Sequence, residues 1–426
     1  MSILKDLPEL LEAGVISHDT AERIEHYYRG KSSSSSNRLL MLYGLLGSIL
    51  IGLGLILIIA HNWDEMSRMT KNGIALAPLI LGQVMCIYTL IKKEFSQTWR
   101  ECVSTFLFFS IGACLSLISQ IYHLPGDAHT FVFLWMILSF PIIYLMRSSM
   151  VSLLYVIGIT YYGCEGYAYH HTSQPYTYWL LLIPMLPHYY QLCKKRALSN
   201  FTTFHHWVIP ISISIVLGTF AARQEEWMYV AYFVLFGVFY LIGENQLFKG
   251  RKIKANGYRV IGALGTMVLL FISSSDWFWS SLMKKTFILK DVLFSPEFIT
   301  LIVLTGIAKL LLFKHLKKTK IKEVQPTAFL FLPFIATFIL GIFTPFAQIL
   351  INLYIFIIGI QTIRLGARRN HLGLLNYGLM IIVALVVLRF VDSHIDFVIR
   401  GILFVLTGIG FFATNLWMLK KRKTNE

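Results

Sequence analysis

The chain has 426 residues, of which 56% are apolar, 15% aromatic and only 14% charged, and its 38 Lys and Arg outnumber 22 Asp and Glu for a net charge of +16. An ordinary globular chain carries about 25% charged residues, so this composition describes a chain solvated mainly by lipid. It excludes disorder, collagen and secreted disulfide scaffolds; the five cysteines (Cys86, Cys102, Cys114, Cys164, Cys193) are scattered, with no C-x-x-C, and indicate neither a disulfide framework nor a zinc site.

Residues 1–31 read as a cytoplasmic helical hairpin. Leu4, Leu7, Leu10 and Leu11 fall at helical spacing, Gly14 is the stop, and Ser17 or Asp19 is the N-cap of a second helix whose apolar stripe continues through Ile24, Tyr27 and Tyr28. Two such short helices bury little, so they are expected to dock on the membrane domain or to pair with a second copy or a protein partner. Residues 32–38, with the run Ser32 to Ser36, form a linker. The first apolar run begins only near residue 39 and is too long for a signal-peptide core, so it is expected to remain as an anchor.

From there the chain reads as an all-α polytopic membrane domain, residues 39–419, with about 14 (12–14) transmembrane helices and a basic tail at 420–426. The candidate spans are 39–60, 72–91, 102–122, 129–146, 149–164, 176–192, 205–221, 226–243, 258–274, 297–313, 325–343, 346–363, 371–389 and 395–419. The fifth and sixth are short and rich in tyrosine, and the pair around Pro345 also reads as one re-entrant hairpin. With a cytoplasmic N-terminus, alternate connections place 30 basic and 11 acidic residues inside, or +19, against 8 basic and 11 acidic outside, or −3. The basic excess is then the positive-inside rule; it calls for anionic lipid headgroups at the cytoplasmic face, needs no nucleic acid, and puts both termini inside. Gly44, Ser48 and Gly52 repeat every fourth residue in the first span and offer a face for close helix packing. Gly44-Leu45-Leu46-Gly47 is echoed by Gly262-Ala263-Leu264-Gly265, a pattern to weigh as an internal repeat.

Polar groups crowd the predicted outer face. His61, Asn62, Asp64 and Glu65 follow the first span; Gln120, His123, Asp127 and His129 bracket the turn at Leu124-Pro125-Gly126; Arg389, Asp392, His394, Asp396 and Arg400 lie between and inside the last two spans. Asp396 and Arg400 share a helix face at spacing four, and an intramembrane Arg needs a partner or water. These residues are expected either to line a polar cavity open to the outside or to staple two helices together. Trp63, Trp135 and Trp277 read as interfacial anchors. No metal-ligand spacing occurs among the outer histidines, and no cofactor is indicated.

Both ends of the chain carry a resemblance. Ala13-Gly14-Val15-Ile16-Ser17, Tyr27-Tyr28, the glycine-rich first span, His61-Asn62-Trp63, Gln120-Ile121-Tyr122-His123 with Gly126-Asp127 and Trp135, and then Asn376-Tyr377-Gly378 with Leu388-Arg389-Phe390-Val391-Asp392 are its elements. The chain resembles the bacterial predicted membrane proteins grouped as domain of unknown function 2157, best over residues 1–145 and 370–420. The resemblance implies a bacterial inner-membrane protein and supplies no reaction.

Nucleotide-binding loops, H-E-x-x-H, G-x-S-x-G and dinucleotide fingerprints are absent from the sequence. The expected function is carrier-like or flippase-like, for an amphipathic or lipid-linked solute, on the strength of many short-looped spans and the prolines Pro78, Pro141, Pro184 and Pro333. The alternatives are a scaffold or sensor acting through the cytoplasmic hairpin, and a membrane-embedded transferase using Asp64, Glu65 or Asp127.

Overall fold

The computed structural model describes residues 7, 10–24, 63–170, 175–221, 224–248, 253–318, 325–368 and 371–391, with isolated positions between 398 and 413. The described residues are helical, with no strand among them. Two compact units divide at Ala77 and Pro78.

In the first unit Gly14 stops a helical stretch by taking a left-handed φ of 67°. Its N–H reaches Leu11 O at 3.1 Å and the Val15 N–H reaches Leu10 O at 3.1 Å, which satisfies two carbonyls that a helix end otherwise leaves open. Ser17 caps the helix at residues 18–24 through the Thr20 N–H, and Asp19 pairs with Arg23 at 3.1 Å.

The membrane-type helices follow as α1 (Arg68–Lys92), α2 (Gln97–Ile121), α3 (Ala128–Leu145), α4 (Ser149–His170), α5 (Pro175–Leu182), α6 (Leu186–Lys195), α7 (Asn200–Leu217), α8 (Glu225–Gly243), α9 (Gly257–Ser273), α10 (Asp276–Met283), α11 (Leu289–Leu293), α12 (Pro296–Leu316), α13 (Phe331–Phe343), α14 (Phe346–Arg368) and α15 (Leu372–Val391). Eight helices among the described residues are long and apolar enough to cross a membrane: α1, α2, α3, α7 with the short turn after it, α8, α12, α14 and α15. The remaining predicted spans have specific reasons for falling short of that description. The first lies outside the described residues and the last is described only at isolated positions. The fifth is α4, a 22-residue helix with a tyrosine-rich end, and the sixth is broken into α5, a 3-10 turn at Ile183–Met185 and α6. The ninth continues into α10 after a bend of 69°, and the eleventh is a helix of 13 residues. Pro78 and Pro141 sit inside unbroken helices, and Pro333 is the third residue of α13, where its missing N–H costs no helix bond.

In the second unit α8 is the innermost helix. From Trp227 to Gly243 it has no charged residue, so every side of it tolerates burial, and it packs on α9, α12 and α13. Phe233 stacks on Phe334 with ring centroids 3.7 Å apart. Glycines set the closest approaches: Gly243 faces Arg259, Gly262 faces Tyr240 and Gly265 faces Phe236, an antiparallel α8–α9 register, while Gly366 faces Leu375 and Gly378 faces Ile363 in the α14–α15 hairpin. Gly262 and Gly265, half of the proposed repeat, are thus contact residues; the other half lies outside the described residues.

Contacts that tie helix ends and connections together fall into two groups. At one end, Arg100 Nε donates to Met146 O at 2.7 Å. The Glu101 carboxylate caps α4, taking the Ser148 hydroxyl at 2.6 Å and the N–H groups of Ser149 and Met150 at 3.0 and 2.9 Å. Trp207 Nε1 donates to Lys254 O, and the Tyr240 hydroxyl bonds Gln325. At the other end the Gln224 N–H donates to buried Glu297, Lys285 pairs with Glu226, and His129 stacks on Tyr162 at 4.2 Å.

Candidate functional site

Among the outer-face residues expected from the sequence, Gln120, His123, Asp127 and Arg389 take part in helix ends. Tyr122 ends α2, His123 follows with φ 49°, and the N–H groups of His123 and Leu124 return to Gln120 O and Ser119 O at 3.4 and 3.0 Å. That is a helix-terminating turn with His at the position usually held by Gly. Asp127 opens the next helix, its carboxylate accepting the Thr130 N–H at 2.8 Å. Gln120, His123 and Asp127 are exposed and serve one tight α2–α3 connection. Asp64 belongs to the first unit and is exposed.

Arg389 is half-buried near the end of α15, and its Nη2 donates to Ser274 O at 2.5 Å, where Gln348 Nε2 also donates at 3.2 Å. Ser274 is the C-cap of α9, so the guanidinium meets the negative end of that helix. Replacing Arg389 by Ala is expected to cost about 1–2 kcal/mol. Lys should recover part of it, read as the melting temperature of the detergent-solubilised protein. Asn62, Asp392, Asp396, Arg400 and the stripe Gly44, Ser48 and Gly52 lie outside the described residues.

The three tryptophans differ. Trp63 has Lys71 Nζ 5.5 Å from its ring centre. Trp277 is 72% exposed at the start of α10, beside a cleft of about 160 Å³ shared with Glu225, Glu226 and Tyr229. Trp135 lies in the middle of α3, donates from Nε1 to Phe108 O at 2.8 Å, and its ring occupies the space left by Gly112.

A different set of polar side chains converges inside the apolar bundle. Ser152 on α4 bonds His205 Nε2 on α7 at 2.8 Å, Thr160 bonds Ser212 at 2.5 Å, and Gly163 faces Val216. The nearly constant offset of 52 or 53 residues means that α4 and α7 run parallel in register. Each hydroxyl has one proton, which orders the chain: Thr160 donates to Val156 O at 2.6 Å, so Ser212 donates to Thr160, and the Tyr178 hydroxyl on α5 donates to Ser212 at 2.6 Å. His205 Nδ1 lies 2.7 Å from Phe201 O and must carry the proton there, leaving Nε2 to accept from Ser152. His206 Nδ1 bonds the Tyr189 hydroxyl on α6 at 2.6 Å. Ser152, His205, His206 and Tyr178 are fully buried.

The broken pass α5–α6 borders this seam. Pro184 and Pro187 withhold two N–H donors, and the interruption sits midway between Pro175 and Lys195. Carbonyls in the break are satisfied from neighbouring helices instead: the Tyr155 hydroxyl on α4 donates to Leu181 O at 3.0 Å, and the Tyr144 hydroxyl on α3 donates to Pro184 O. In lipid such irregular backbone persists only where protein or a cavity supplies the missing partners. Sequence reasoning missed the seam, although a signal is there: Ser152 and Thr160 are eight apart, His205 and Ser212 seven apart, each about two helical turns. Among the described residues no three His, Cys, Asp or Glu side chains gather as a metal site would require.

Residues 8–152 match the family model described as Predicted membrane protein (DUF2157). The match spans the N-terminal head through the first turn of α4 and stops at Ser152, where the polar seam begins. No curated protein and no solved structure matches the chain.

Proposed function

We propose that the protein is a carrier-like or flippase-like multi-pass protein of the bacterial inner membrane, moving an amphipathic or lipid-linked solute along the seam between α4, α5–α6 and α7. The observation that carries this reading is the broken pass beside a chain of buried hydroxyls. Carriers place polar groups of their solutes at interrupted helices, where the backbone has freed polar atoms and neighbouring elements are able to change partners. With imidazoles and hydroxyls along it, the seam suits a polar or headgroup-bearing solute, while the surrounding apolar helix faces suit its hydrocarbon part.

The orientation proposed with it has both termini in the cytoplasm, the hairpin at 1–31, the linker at 32–38, the membrane domain at 39–419 and the tail at 420–426. The +19 to −3 division of charge supports it. Of the transferase candidates, Asp127 has one carboxylate oxygen engaged in a helix cap. Lipid and envelope-precursor profiling of a deletion strain tests the carrier reading. One precursor is expected to accumulate, and wild-type protein but not a well-expressed Ser212→Ala variant should clear it; an unchanged profile in the deletion strain would remove the reading.

A further inference from the structure

The geometry points to a binding site for the phosphate of an anionic phospholipid headgroup, formed by Arg100, Arg147 and Arg196 at the basic end of the bundle. The three come from three separate connections that the fold draws together. Arg100 stands in the first turn of α2 and is pinned through Nε to Met146 O, the carbonyl immediately before Arg147. Arg147 holds a left-handed φ of 46° at the end of α3, a position that favours Gly. Arg196 ends α6, where the Thr202 hydroxyl from α7 closes on its carbonyl at 2.6 Å. Because α4 and α7 run parallel with Ser152 bonded to His205 near their starts, the turn at 146–148 and the turn at 196–199 lie side by side.

No described ion pair neutralises these charges. Arg100 has both other guanidinium groups as repulsive neighbours, with Glu94 and Glu101 as attractive ones. Glu101 has both oxygens committed to the start of α4, and Glu94 is exposed. Among the described residues the ion pairs are Asp19 with Arg23, Glu244 with Arg259 and Glu226 with Lys285, so none holds these three arginines. Convergent guanidinium groups match the oxygens of a phosphate in a way that scattered lysines do not.

The surroundings select a lipid over a free anion. At this end Phe95 is 98% exposed, Leu198 91%, Leu145 65% and Trp99 40%. Large apolar side chains on connections beside the arginines are placed to enter the acyl boundary while the arginines meet headgroups, and the cytoplasmic leaflet is the anionic one. This inference rests on the proposed orientation but not on transport, so the binding test below and the carrier test fail separately.

The test uses the full chain purified in a neutral detergent, with phosphatidylglycerol, phosphatidylcholine or inorganic phosphate added and binding read by native mass spectrometry and thermal shift. Phosphatidylglycerol is expected to stay bound and raise the melting temperature, with phosphatidylcholine and phosphate giving little. Arg147→Gln with Arg196→Gln should weaken phosphatidylglycerol binding about tenfold or more, whereas Lys317→Gln with Lys318→Gln should change it less than about twofold. Should the Gln pair fail to fold, Arg147→Lys with Arg196→Lys keeps the charge and removes the forked donors, and at least about a threefold loss is expected. Equal losses from the arginine and lysine pairs, full affinity in the Arg to Lys pair, no preference for phosphatidylglycerol, or equal stabilisation by inorganic phosphate would each overturn the site.

Discussion

Glu101→Ala is expected to lower the stability of the solubilised protein by on the order of 3 kcal/mol, and to be the most damaging single truncation at the basic end. The carboxylate is buried and accepts from a hydroxyl and two N–H groups at the first turn of α4, so it performs from α2 the capping that a serine or aspartate ordinarily performs from its own helix. Removing it strands the N–H groups of Ser149 and Met150 next to apolar neighbours and unties α2 from α4. Glu101→Gln retains an acceptor oxygen and should recover roughly half of the loss. Thermal unfolding followed by tryptophan fluorescence, with monodispersity on gel filtration as a second readout, separates the two variants. An Ala variant as stable as wild type would mean that water or another group caps α4.

The second large effect is steric. A side chain at Gly262 would place Cβ 2.6 Å from Tyr240 N and 2.7 Å from Phe236 O, and backbone atoms of a buried helix do not move aside as a flexible side chain does. Gly262→Leu should therefore force α9 away from α8 and cost about 3 kcal/mol or more, with Gly262→Ala already clearly destabilised. Gly306 on α12 supplies the control: a Cβ added there would meet nothing within 4 Å, and Gly306→Ala should raise stability by up to about 1 kcal/mol through helix propensity alone. Comparable yields and melting temperatures for the two positions would rule out a close α8–α9 crossing.

How much of this is legible in the sequence depends on the range of the interactions involved. Apolar runs locate α1, α2, α3, α7, α8, α12, α14 and α15, because a membrane-spanning helix needs only its own length and hydrophobicity to be recognised. The stop at Gly14 and the cap at Ser17 are equally local. Polar residues at span ends are harder. The helix-end roles of His123 and Asp127 are not legible in the sequence, and show only in the left-handed φ at His123 and the bond from Asp127 to Thr130. The packing of Trp135 on Gly112 is hidden because the two sit on different helices. The seam is hidden because its members come from four helices, so Ser152 and Ser212 read as isolated serines in apolar runs until α4 and α7 are laid side by side.

Accessibility of the seam from each side of the membrane tests the carrier reading most directly, because it requires no knowledge of the solute. With the five native cysteines replaced, Ser212→Cys is to be treated with an impermeant thiol reagent in intact cells and, separately, in inverted vesicles, beside Ala128→Cys and Leu198→Cys as exposed references at the two ends. A carrier that opens alternately predicts that Ser212→Cys reacts in both preparations, more slowly than the references, with Ala128→Cys reacting in intact cells and Leu198→Cys in inverted vesicles. A cysteine at position 212 that stays unreactive from both sides while both references label would contradict the carrier reading and leave the seam as a static contact between helices.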